Sequence, residues 1–284
     1  MNLKGWIELD GVRLSPADVE RMLKAGPEPL KRCGGEFLLT WDDCTARDAF
    51  GIMPGPVPPG VVCCGGRSVA RIAPDPPSCT LEEAIITAVN LRSDEGVVAF
   101  SGGVDSGLIA GLADLPCVAV GIEGSHDIIW ATKAALMMEL DLEVVTPTEE
   151  EVAEALARVV RVIPDPANPV EASIATTLFF VAARARELGH TRILAGQGAD
   201  ELFGGYARYL SSPDLAAELE RDVADHERQR ARDQAVATLH GTYFSMPYLD
   251  IRVVRAAQAI PSGEKVCGGV RKRPLRAVAE RHIP

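Results

Sequence analysis

No run in this sequence approaches the roughly 18 uninterrupted apolar residues that a membrane-spanning helix needs. The opening stretch, MNLKGWIELDG, also lacks the apolar segment of a secretion signal. Basic residues are scarce: Lys+Arg number 29 against 40 Asp+Glu, for a net charge of −11. That balance is wrong for a protein that coats a nucleic-acid backbone or an anionic membrane, since cationic surface supplies most of such affinity. Seven cysteines stand at positions 33, 44, 63, 64, 79, 117 and 267, and none has CxxC metal spacing. Buried, reduced thiols in a cytoplasmic protein are the expectation, with the adjacent pair Cys63 and Cys64 as the one hint of redox chemistry. No internal repeat or low-complexity tract stands out.

What is present is ample core material. The chain has 284 residues, 47% hydrophobic and 24% charged, which suffices for one large domain with a smaller attachment and argues against bulk disorder. Residues 1–60 alternate and turn often, as in GWIELDGVRL, GGEFLLTWDD and IMPGPVPPG, and predict short strands joined by tight turns. The proline-rich IAPDPPS at 72–78 makes a linker, so a small β-rich unit over 1–74 precedes a larger one over 80–284. Thr80, followed by an acidic pair and helical apolar spacing, starts a helix.

Beyond it, strands at 96–101, 117–122, 142–146 and 191–196 alternate with helical patterns near 104–113, 126–140, 149–161 and 170–188. Continuous apolar strands separated by helices of this length predict an α/β fold with a doubly wound parallel sheet. The charged segment SPDLAAELERDVADHERQRARDQAVATL predicts a long surface helix. This helix, over about 214–239, and the apolar N-terminal part can bury against a second copy, as in a homodimer, or against the larger unit.

The strand at 96–101 runs into Ser-Gly-Gly-Val-Asp-Ser, residues 101–106, and then into a helix. In an open α/β sheet, ligands bind where strands end and helices begin. Gly102 and Gly103 let backbone N–H groups converge on an anion at the helix N-terminus, and the hydroxyls of Ser101 and Ser106 add donors. No lysine follows, so this is not the GxxxxGK[ST] loop. A carboxylate beside a phosphate cradle, Asp105, makes sense with a Mg2+ between them.

SGGVDS after a strand resembles the pyrophosphate-binding loop of the N-type ATP pyrophosphatases, which split ATP between its α and β phosphates. A second stretch, ILAGQGADELFGGYARY at 193–209, resembles the strand and loop of the asparagine synthetase family, usually G-E-G-S-D-E-[LV]-F-G-G-Y. VAVGIEGSHDIIWATKAA at 118–135 is similar to the family's adenine-side strand and next helix, and MPYLDIRVVRAAQAIP and EKVCGGVRKRPLRAVAE are similar to its C-terminal part, so the resemblance runs from about residue 80 onward. GGEFLLTWDD and ARDAFGIMPG resemble the second half of the glutaminase domain that precedes it in bacterial enzymes. That domain needs a cysteine directly after the initiator methionine. Asn2 stands there and the region is less than half the usual length, so a shrunken remnant without glutaminase activity is expected.

The resemblance implies ATP along the strand ends, with Ser101, Gly102, Gly103 and Ser106 cradling phosphates, Val120 and Ile122 against adenine, and Gly196 and Gly198 giving close approach. It implies Mg2+ on Asp105 and Asp200, and a catalytic Lys272 with Lys265 in a lesser position. The reaction it implies is attack of a small carboxylic acid on the α-phosphorus, followed by displacement of AMP by ammonia or another amine. The family glutamate is Gln197 here and the next serine is Ala199. Gln197 hydrogen-bonds but cannot act as a general base near pH 7. With only about a dozen residues after Lys272, this leaves the acid and the amine open. A β-lactam-synthetase-like amide former, a tRNA- or carrier-modifying relative, and a nucleotide-binding protein without turnover are the other readings. Net charge and the lack of a CxxC pair weigh against the RNA-directed one.

Overall fold

Alternating apolar residues in the first seventy positions build an antiparallel sheet. In the computed structural model, which describes residues 1–284, this part contains β1 (Asn2–Leu9), β2 (Val12–Arg13), α1 (Pro16–Leu23), β3 (Gly34–Trp41), β4 (Cys44–Arg47), β5 (Val61–Cys64) and β6 (Arg67–Arg71). The strand order is β2-β1-β3-β4-β5-β6. One face buries Ile7, Phe37, Leu39, Val62 and Ala70 with Val19 of α1. Helix α1 is additional to the strands expected here. Ser15 and Asp18 cap it reciprocally, with Pro16 at its start, which suits a short helix in turn-rich sequence.

The expectation of reduced thiols is corrected at one pair, because Cys44 and Cys64 form a disulfide. They are direct partners in the β4–β5 register, a neighbourhood that spacing along the chain does not reveal. Cys33, Cys63, Cys79, Cys117 and Cys267 are free.

The rest of the chain alternates. Thr80 and Glu83 form a capping box on α2 (Leu81–Asn90). Then follow β7 (Val97–Ala99), α3 (Val104–Ala113), β8 (Cys117–Val120), α4 (His126–Met137), β9 (Leu142–Val145), α5 (Glu149–Val159), α6 (Pro169–Glu187) and β10 (Arg192–Leu194). After them come α7 (Ala199–Phe203), α8 (Leu215–Thr238), β11 (Tyr243–Ser245), α9 (Ile251–Gln258), α10 (Ser262–Lys265) and α11 (Arg273–Ala279). The five strands are parallel in the order β11-β10-β7-β8-β9. The order reverses at β7, which makes this the doubly wound α/β fold and puts its switch point between β7 and β10. No helix is long and apolar enough to cross a membrane.

Two expectations change. Strand β11, three residues ending a polar stretch, carries no strand signal of its own. Helix α8 lies on the surface only in its first half, for His226, Arg232, Asp233, Gln234, Val236 and Ala237 are buried. Its polar residues tolerate burial because they are partnered: Arg232 donates to Glu171 and Asp233, and Gln234 pairs with both backbone groups of Phe244 in β11.

A buried polar chain joins the two sheets. Glu36 of β3 accepts from Trp6 Nε1, from Arg92 Nε at 2.9 Å, from the Met246 N–H at 2.9 Å and from the Ser245 hydroxyl. Arg92 continues to Asp250 at 3.1 Å, and Arg252 links Asp250 to Glu8 at 2.7 Å. Removing one member of such a chain strands a buried charge. Glu36→Ala is therefore expected to lower unfolding free energy by about 3–5 kcal/mol, measured by urea denaturation. Breaking the exposed Arg184–Glu187 pair should cost under about 1 kcal/mol.

Candidate active site

The tips of β7, β8 and β10 open on one side of the sheet into a cavity of about 610 Å3. Ser101, Gly103, Asp105 and Ser106 line it from the β7 side, Val118, Ala119 and Val120 from β8, and Gly196, Gln197 and Asp200 from the β10 side. Helices add Asp127, Ile128 and Ala131 from α4 and Thr177, Leu178 and Val181 from α6. One half is thus apolar and the other polar.

The polar half begins at the loop before α3. Gly102 takes a left-handed φ of 75°, and a Cβ there would fall 2.9 Å from the Ala131 Cα, so only glycine fits. Gly103 is the N-cap of α3, and no side chain closes that helix end. The first N–H groups of α3 therefore face the cavity with the positive end of the helix. The Ser106 hydroxyl accepts from the Ser101 N–H at 3.1 Å and lies 3.0 Å from the Ser101 hydroxyl, which holds the loop in shape. An open helix N-terminus of this kind suits an anion.

At the switch point, Lys272 bridges two carboxylates, 2.5 Å from Asp105 and 2.7 Å from Asp200. Three elements converge to do this. Asp105 sits in the first turn of α3, and its backbone oxygen accepts from the Tyr248 hydroxyl at 2.9 Å. Asp200 sits in α7, where Gly198, at φ 90°, lets the chain turn after β10. Lys272 is the residue before α11 and itself adopts a left-handed φ of 54°. Neighbouring Arg271 donates to the Gly205 oxygen. Gly205 must be glycine, since a Cβ would lie 1.6 Å from Asp200 Oδ1 and 2.1 Å from Lys272 Cε.

Burial raises the Asp105 pKa, while the Lys272 ammonium opposes the shift. Its Oδ1 is buried without a hydrogen-bond partner. An unsatisfied carboxylate oxygen beside a phosphate cradle suits a hard divalent cation, so these residues fit Mg2+. Asp105 and Asp200 supply only two ligands, and the protein holds no group of three or more such side chains; the remaining oxygens would come from phosphate and water.

Of the other expected site residues, Val120 lines the cavity. Ile122 does not: it falls in the turn beyond β8 and is 75% exposed, because β8 ends at Val120. Lys265 is buried in α10 and lines a separate cavity with Glu201, Leu219 and Pro261. Desolvation there lowers its pKa. Gln197 faces the main cavity and lies beside Asp233, a fully buried carboxyl whose pKa burial pushes up to about 6. Asp127, Thr177, Gly205 and Asp233 were not expected. Gly205 stands inside the quoted FGGY string; the others carry no local signal, since only packing of α4, α6 and α8 brings them here.

His226 of α8 lies behind α7, with its Nε2 3.9 Å from Glu201. Burial first, then Arg230 and Arg232, lower its pKa to about 4. Because the folded value lies below the unfolded one, the stabilising contribution is full above pH 6.5 and is lost as pH falls toward 4. From pH 7 to pH 5, wild type should lose about 2 kcal/mol relative to His226→Gln, read from paired denaturation curves.

The family model described as asparagine synthase matches residues 80–237 and 221–284. A Methanocaldococcus jannaschii protein provisionally named glutamine-hydrolyzing asparagine synthetase 1 is 35% identical over 192 residues, covering 64% of this chain and 35% of its own. Asparagine synthetase B (glutamine-hydrolyzing) of Escherichia coli is 25% identical over 213 residues, covering 66% and 38%. The chain thus spans little more than a third of the length of these curated relatives. A solved M. jannaschii structure described as a predicted tRNA methyltransferase subunit has 17% identity and a TM-score of 0.30, covering 57% of this chain and 74% of that one, a likeness too slight to bear on fold or function.

Proposed function

Because the chain belongs to the asparagine synthase family, we propose that it is an ATP-dependent, AMP-forming amide ligase that takes free ammonia or another amine. The observation that carries this reading is the pair of aspartates in the helix turns beyond β7 and β10, Asp105 and Asp200, meeting Lys272 beside an uncapped helix end. In this reading Ser101, Gly103 and Ser106 hold the β and γ phosphates, and the apolar half of the cavity, with Val118, Val120 and Ile128, takes adenine. Asp105 and Asp200 hold the cation. When bound, Mg2+ supplies charge neutralisation on the departing pyrophosphate. A carboxylate attacks the α-phosphorus, pyrophosphate leaves, and the amine then displaces AMP from the acyl-adenylate. Negative charge gathers on phosphate oxygens in the first step, so the fixed donors of the loop and the Lys272 ammonium provide the stabilisation.

Gln197 faces the place where acid and amine meet. It positions them by hydrogen bonding and does not remove a proton. In the same reading an N-terminal unit over 1–74 buttresses the synthetase part over 80–284 without hydrolysing glutamine; the buried contacts of Glu36 with Ser245 and Met246 and of Glu8 with Arg252 support the buttress. Placement in the cytoplasm belongs to the same reading.

Two measurements test it. Mixed with ATP, Mg2+, ammonia and a panel of small carboxylic acids, wild type should release AMP and pyrophosphate with at least one acid. Asp105→Ala should reduce that release by at least about a hundredfold; persistent release would reject the assignment of the metal-holding carboxylates. Gly205→Ala, which drives a methyl group into Asp200 and Lys272, should weaken ATP·Mg2+ binding by roughly tenfold or more in a calorimetric titration, while the thermal midpoint stays within a few degrees.

A further inference from the structure

Lys272 holds the position that a cation would hold between Asp105 and Asp200, at 2.5 and 2.7 Å. The lysine is 8% exposed, and its backbone is fixed from both sides. Leu275, Val278 and Ala279 bury α11, and Arg271 ties the preceding residue to Gly205. The side chain is the movable part: an ammonium on a four-carbon stem can change partners without moving the helix.

The charge arithmetic decides when it changes. Two carboxylates and one ammonium carry net −1. A free divalent cation entering this clasp must expel the ammonium from both of its carboxylate partners, and must accept only two protein ligands. A cation arriving on a triphosphate meets neither obstacle. It brings its own oxygens, and those oxygens give the displaced ammonium a new anionic partner.

Resting on the ATP reading above, we infer that Lys272 is an internal place-holder: it closes the Asp105–Asp200 clasp to free divalent cations and opens it to a metal–nucleotide complex. Metal binding is therefore conditional on nucleotide. By linkage, the nucleotide analogue must bind more tightly with metal than without it, by the same factor. The left-handed turn at Lys272 and the bare Cα of Gly205 are the local features that let the ammonium reach both carboxylates.

The test uses Mn2+ as probe, with free ion followed by electron paramagnetic resonance, and α,β-methylene-ATP as a nucleotide that cannot be cleaved at the relevant bond. Wild type should bind Mn2+ at least about tenfold more tightly with the analogue than without it. Lys272→Gln should bind Mn2+ without nucleotide at least about tenfold more tightly than wild type, and the dependence on nucleotide should shrink. Circular dichroism confirms that the variant is folded; the wild-type arm stands alone if it is not. Equal Mn2+ affinity in wild type with and without the analogue overturns the inference, as does a folded Lys272→Gln protein with unchanged affinity for free Mn2+. If wild type binds no analogue in either condition, the nucleotide reading itself falls, and this inference with it.

Discussion

Two aspartates placed within reach of one ammonium are costly neighbours. Each carboxylate repels the other, and the ammonium between them offsets that repulsion. Here β7 and β10 are adjacent in the sheet yet far apart in sequence, so the loops after them open at the same edge. That is the switch point of the strand order, and the local architecture answers to it. Gly102 lets α4 pack against the β7 loop, Gly198 turns the chain after β10, and Gly205 leaves room for the lysine that neutralises the pair. A methyl group at Gly102 or Gly205 would meet an atom already in place.

The antiparallel sheet acts on this site from behind. Glu36 grips the end of β11 through Ser245 and Met246, and the Tyr248 hydroxyl just beyond holds the backbone of Asp105. A carboxylate of the antiparallel sheet thus reaches, through one short strand and a turn, to the first turn of α3. Satisfied hydrogen bonds at every step make this path stiff. It gives the β-rich part a mechanical link, through buried Glu8 and Glu36, to the α/β unit.

Much of this was legible in residues alone. The strands β7, β8, β9 and β10 and the helices between them announced themselves because parallel strands are apolar on both faces and helices are not. The Ser-Gly-Gly-Val-Asp-Ser loop and the Gln-Gly-Ala-Asp stretch lie directly at strand ends, so their chemistry and their position coincide. What stayed hidden depends on long-range packing. Tyr243–Ser245 is too short for a periodicity, and the buried half of α8 looks like a solvated helix because Arg232, Asp233 and Gln234 find their partners in distant α6 and β11. Cys44 and Cys64 meet only through a strand register. Ile122 and Lys265 show the reverse failure: proximity in sequence to a strand tip or to Lys272 does not aim a side chain.

The chain of charges through Glu36 also sets a schedule for synthesis. Its members join residue 36 to 246 and residue 8 to 252, contacts that span most of the polypeptide. On a translating ribosome, the first sheet emerges long before Arg252 and the Ser245 and Met246 groups that complete this chain. Glu36 meets Trp6 and Arg92 early, whereas its bonds to Ser245 and Met246 and the Glu8–Arg252 pair wait for residues more than 200 positions on, which argues for a late docking of two preformed halves.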